Sequence, residues 1–68
     1  MKPVSGKRFC HLLESHNWEL KRITGSHHIY AKIGNPARIS VPVHGNNQLK
    51  TGLQRYLMKV SDIEESEL

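Results

Sequence analysis

From Ser5 to His16 the positions Phe9, Leu12, Leu13 and His16 fall at i, i+3, i+4 and i+7, the stripe of an amphipathic helix with Ser5 as a good N-cap. Lys7, Arg8, His11 and Glu14 take the opposite, solvated face. His16-Asn17 is the expected end, because asparagine tolerates the left-handed backbone that a helix C-terminus often requires. From Trp18 the period changes to two, with Trp18, Leu20 and Arg22 pointing one way and Glu19, Lys21 and Ile23 the other. Thr24-Gly25-Ser26 then turns the chain into a second strand, His27 to Lys32. Gly34-Asn35-Pro36 turns it into a third, Ala37 to Val43, which alternates strictly.

The same alternation assigns faces. Ile29 and Ala31 join Ile39, Val41 and Val43 on an apolar side, which leaves Tyr30, Lys32, Arg38 and Ser40 on the other. Pro42 cannot donate to a ladder, so the third strand is expected to be an edge there or to end there. A second helix is expected from Leu49 to Val60 with Leu49, Leu53, Tyr56, Leu57 and Val60 inward, and both Trp18 and Tyr56 are placed in the core. Gly52 marks either a close backbone approach or the start of that helix. Ser61-x-x-Glu64 has capping-box spacing for one short terminal turn. The sum is one domain over residues 1–68, a two-layer α+β fold of α-β-β-β-α order with both helices on one face of a three-stranded antiparallel sheet.

Size and charge narrow what such a domain does. A chain of 68 residues buries only about 60% of its unfolded surface, so a partner that binds the folded form adds stability. Cys10 stands alone, which excludes an internal disulfide framework. Without an apolar leader or a run of membrane-spanning length, a cytoplasmic setting with no membrane partner is expected. The net charge of +4 understates the body of the chain, because four of the six acids lie in the last seven residues. Residues 1–60 carry ten Lys and Arg against Glu14 and Glu19, a net +8. That balance points to a polyanion, with plain solubilising charge as the alternative; the acidic tail either folds back on the basic surface or is solvated.

Five histidines invite a metal reading that the spacing does not support. His27 and His28 diverge as neighbours on a strand, Cys10 and His11 diverge on a helix, and no Cys-x-x-Cys or His-x-x-x-His pair is present, so neither metal nor other cofactor is expected. Cys10 beside an apolar stripe reads as a small hydrophobe, and the acids are too few for paired-carboxylate chemistry. What remains is histidine among basic residues: Lys21 and Arg22 before the turn, His27 and His28 after it, His44 and Lys50 near the second helix. RNA carries its own nucleophile in the 2′-hydroxyl, and one placed general acid or base is typically worth about 10²–10⁴-fold. Arg22, His44 and Lys50 are candidate phosphate holders, Lys50 at a positive helix N-terminus. Strict alternation puts His27 with Ile29 on the covered side and His28 with Tyr30 on the open side, unless a rim position or a bulge exposes His27.

Gly25-Ser26-His27 followed by Tyr30, then Val41-Pro42-x-His44, then Leu49-Lys50-x-Gly52 resemble, in this order and over nearly the whole chain, the HicA-type toxins of toxin–antitoxin pairs. That resemblance implies a fold similar to double-stranded-RNA-binding domains and a ribonuclease that cleaves messenger RNA. It also implies a HicB-type antitoxin covering the active site. It makes His27 the catalytic histidine, with Ser26 among the RNA-binding residues, and puts His28 at a position free to vary. Leu53 departs from the threonine that family members often have after the glycine. Three functions follow as expectations: a metal-independent endoribonuclease, a non-catalytic RNA-binding module of the same fold, or a protein whose basic face meets only an acidic protein partner.

Overall fold

In the computed structural model, which describes residues 1–68, the chain runs α1 (Gly6–Ser15), β1 (Glu19–Thr24), β2 (His27–Lys32), β3 (Asn35–Pro42) and α2 (Thr51–Ser61), closing in a 3-10 turn at Glu65–Glu67. The sheet is antiparallel in the order β1-β2-β3. Both helices lie on one of its faces over a core that includes Phe9, Leu13, Trp18, Tyr30, Ile39, Val41, Leu57 and Ile63. This is the expected α+β architecture, consistent with the double-stranded-RNA-binding type of fold.

Helix α1 begins and ends as its sequence dictates. The Ser5 hydroxyl accepts from the Arg8 N–H at 3.0 Å, satisfying one of the unpaired first-turn donors. Asn17 leaves the helix with φ +70. Gly6 is required for packing, because a Cβ there would lie 2.0 Å from the Pro42 carbonyl oxygen.

Helix α2 starts at Thr51 rather than Leu49, and its inward stripe is Gln54, Leu57, Met58 and Ser61. Tyr56, expected in the core, is 62% exposed. Gln54 sets this rotation: its Oε1 accepts from Val4 N–H at 3.2 Å and its Nε2 donates to the Lys2 carbonyl at 2.7 Å. A buried amide whose oxygen and nitrogen are both bonded to backbone is as good a core residue as a tyrosine whose hydroxyl would need a partner. Leu49 stays outside the helix, where its N–H donates to Val4 at 2.9 Å and its side chain enters the core. Gly52 has open space around its Cα, so it marks the start of the helix and not a close approach.

The faces of β2 are the reverse of those expected. His28 pairs with Val41 and Tyr30 with Ile39, on the helix side, while Ile29 pairs with Ser40 on the open side. Tyr30 is 1% exposed and donates its hydroxyl to Glu14 Oε2 at 2.6 Å, so the aromatic ring fills the core and its polar tip ends on α1. Ala31 is buried too, although it lies outside the core cluster. In β1 a bulge between Leu20 and Arg22 breaks the strict alternation: Leu20 faces Tyr30, whereas Arg22 pairs with Ile29 on the open side.

The acidic tail folds back onto the start of the chain and the end of α1. Glu67 pairs with His16, Glu65 lies 3.3 Å from the Met1 amino group, and Lys2 Nζ donates to the Leu68 backbone oxygen at 3.2 Å. The capping box is Glu64 with Glu67, three residues beyond the expected Ser61-Glu64 pair. Ser61 is instead the last residue of α2, donating to the Leu57 carbonyl at 2.6 Å.

Candidate active site at the rim of the sheet

Gly25 and Ser26 form the two-residue loop between β1 and β2. Gly25 takes φ +60 and Ser26 does not go positive, the pattern of a II′ hairpin turn, whose twist matches that of the strands. The turn delivers His27 to the first position of β2, paired with Thr24 on one side and Pro42 on the other. Val43 N–H closes the rim by donating to the Ser26 carbonyl at 2.8 Å.

His27 is exposed, and it shares the open face with Ile29 and Ser40 because it lies two residues before Ile29 in the same strand. Its Nδ1 is 3.1 Å from Ser40 Oγ. A serine hydroxyl either donates or accepts, so this contact orients the ring whichever nitrogen holds the proton. With Nδ1 occupied, Nε2 is the nitrogen left for a ligand. No bulge is needed, since both register shifts of the sheet lie away from the first residue of β2. His28, half-buried, stands on the helix side.

The other predicted residues distribute around this point. Ser26 Oγ and His44 Nε2 are 3.4 Å apart, which ties the segment after β3 to the β1–β2 turn. His44 and Lys50 line a cleft of about 390 Å³ together with Pro42, Asn47, Gln48 and Leu53. Lys50 is the N-cap of α2 and its side chain makes no capping bond, while the first helical amide with a backbone partner is that of Gln54. Arg22 is exposed on the open face, two cross-strand pairs further from the turn than His27. Ser26, His27, His44 and Lys50 therefore gather at one end of the sheet, and Arg22 extends the cationic surface along the open face.

Ser40 is the one rim residue whose part was missed. The alternation of β3 puts it on the open face, but its meeting with His27 depends on the register between β2 and β3.

The remaining titratable groups have other duties. Burial pushes the Tyr30 hydroxyl well above the usual tyrosine range, and its bond to Glu14 adds to the rise. Burial also raises the Cys10 thiol against a lowering bond from Tyr30, as suits a core cysteine. No three His, Cys, Asp or Glu side chains converge as a metal site would require.

Fold and site together define a small α+β domain of double-stranded-RNA-binding type that presents an exposed histidine among cations at the rim of its sheet. The family model for the HicA toxin of bacterial toxin–antitoxin systems matches residues 6–63, and the chain belongs to that family. Membership implies an antitoxin as its protein partner. No curated protein matches the chain. No helix is long and apolar enough to cross a membrane.

Proposed function

We propose that this chain is the toxin of a two-protein pair and acts as a metal-independent endoribonuclease on messenger RNA. His27 is its proton-transfer residue, Arg22, Ser26, His44 and Lys50 hold the RNA, and a HicB-type antitoxin silences it by covering this rim. The observation that carries the reading is the pose of His27: exposed on the open face of a basic domain, with Nδ1 on Ser40 and Nε2 free. A ribose 2′-hydroxyl delivered to Nε2 meets an imidazole nitrogen that can accept its proton. The cations need only hold phosphates, because the nucleophile belongs to the substrate.

The test is to express the chain with and without His27→Ala and to follow growth and total RNA, then to assay the purified proteins on RNA in EDTA. Growth arrest and EDTA-resistant cleavage that both vanish in a folded His27→Ala protein are expected. Undiminished cleavage by that variant would sink the assignment of His27. Salt-sensitive RNA binding without cleavage at any pH between about 5 and 9 would make the chain a binding module instead.

A further inference from the structure

Cleavage by a 2′-oxygen moves two protons. One leaves the 2′-hydroxyl as it attacks phosphorus, and one must reach the 5′-oxygen as its bond to phosphorus breaks. His27 takes the first in the reading above, on which this inference rests. The second needs a donor at the same rim, and the structure leaves few.

The carboxyl groups are elsewhere. Glu14 accepts the Tyr30 hydroxyl, Glu19 is paired with Lys21 at 2.9 Å, and Glu67 is held by His16. Tyr30 and Cys10 are buried in the core. Of the other histidines, His11 and His16 belong to α1 and its cap, and His28 stands on the helix side of the sheet. Lys50 is at the cleft, where its ammonium is suited to holding a phosphate.

His44 meets each requirement. It is exposed, it shares the cleft with Lys50, and its Nε2 is tied to Ser26, the residue immediately before His27. The two imidazoles are thus anchored at consecutive positions of one hairpin, His27 through its own backbone and His44 through the Ser26 hydroxyl. With Nε2 engaged, Nδ1 of His44 is the nitrogen left to face the substrate.

We infer that His44 is the second proton-transfer residue, a general acid that protonates the departing 5′-oxygen, and not merely a phosphate holder. The 2′-oxygen forms its bond to phosphorus while its proton passes to His27 Nε2. The phosphorus–5′-oxygen bond breaks while His44 Nδ1 delivers a proton to that oxygen. The products are a 2′,3′-cyclic phosphate and a free 5′-hydroxyl, with no net change in protons, and water resets both rings.

A substrate whose leaving group needs no proton tests this. An oligoribonucleotide that the wild type cleaves is remade with a bridging 5′-sulfur at the cleaved bond, so that a thiolate departs unaided. His44→Ala and His44→Gln are each expected to lose about 10²–10⁴-fold on the oxygen substrate and to return to within a few-fold of wild type on the sulfur substrate. His27→Ala is expected to stay slow on both. Equal losses on the two substrates would overturn the inference and leave His44 as a phosphate ligand, as would a His44 variant that cleaves the oxygen substrate normally. Wild-type protein that cleaves no RNA would overturn the ribonuclease reading itself, a result distinct from either.

Discussion

The Tyr30 hydroxyl donates to the Glu14 carboxylate at 2.6 Å, joining the middle of β2 to α1. Because side chains alternate along a strand, fixing Tyr30 against the helix fixes His28 there as well and turns His27 and Ile29 outward. A contact on the helix-covered face thus decides which of two adjacent histidines stands on the open face.

Tyr30→Phe is expected to cost about 1.5–3 kcal/mol at neutral pH, the worth of a hydrogen bond to a charged acceptor. It should also change the alkaline limb. The folded hydroxyl titrates above its unfolded value, so its stabilisation is complete below about pH 10 and is lost as pH rises from there towards the folded value. Denaturant midpoints measured from pH 7 to 11 should fall less steeply above pH 10 in Tyr30→Phe than in the wild type.

Ser40→Ala removes the hydroxyl that meets the His27 ring. For the proposed ribonuclease activity, a lost hydrogen bond of about 0.5–1.5 kcal/mol corresponds to roughly a 2- to 13-fold fall in kcat, with KM little changed and activity restored in Ser40→Thr. Side-chain order parameters of the His27 ring should fall in Ser40→Ala and recover in Ser40→Thr; an unchanged order parameter would leave Ser40 without an orienting part in the site.

Two glycines predict opposite signs. At Gly6 an added Cβ meets the Pro42 carbonyl oxygen, so Gly6→Ala is expected to destabilise by about 1–3 kcal/mol or more. At Gly52 the space is open and the position is helical, so Gly52→Ala is expected to stabilise by up to about 1 kcal/mol. Urea unfolding of the two variants checks both signs at once.

The tail supplies an acid-side prediction. The Glu64 N–H, and after it His16, hold the Glu67 carboxyl below the usual glutamate range. Its stabilisation is therefore complete above the unfolded pKa of about 4.3 and is lost as pH falls through the folded value. Glu67→Gln should flatten the drop in melting temperature below pH 5, and an unaltered drop would show that the tail contributes nothing there.

The element order, the N-cap at Ser5, the turn at Asn17 and the hairpin loop before His27 were legible because each rests on local chemistry. The faces of β2 were not. Tyr30 reads as a polar neighbour of Lys32 until its acceptor is known, and that acceptor, Glu14, lies on another element. The rotation of α2 that leaves Tyr56 outside was not legible for the same reason, since nothing local shows that Val4 and Lys2 bond the Gln54 amide. At the site, residue types pointed to proton transfer, but only family resemblance selects His27 over His28; the sheet register adds that the two stand on opposite faces.

The near-contact of Gly6 with Pro42 bears on how still the histidine is held. Strand ends ordinarily fray, and a catalytic ring on a fraying end would scatter over many poses. Here the start of α1 presses on Pro42, Pro42 is the cross-strand partner of His27, and Val43 is bonded to Ser26, so three segments converge on one strand end. The wholly exposed β1 has no such reinforcement along its outer edge. Amide exchange in this protein should therefore be slowest not in the middle of the sheet alone but also at the end that carries His27, giving an apparently exposed site the rigidity of an interior one.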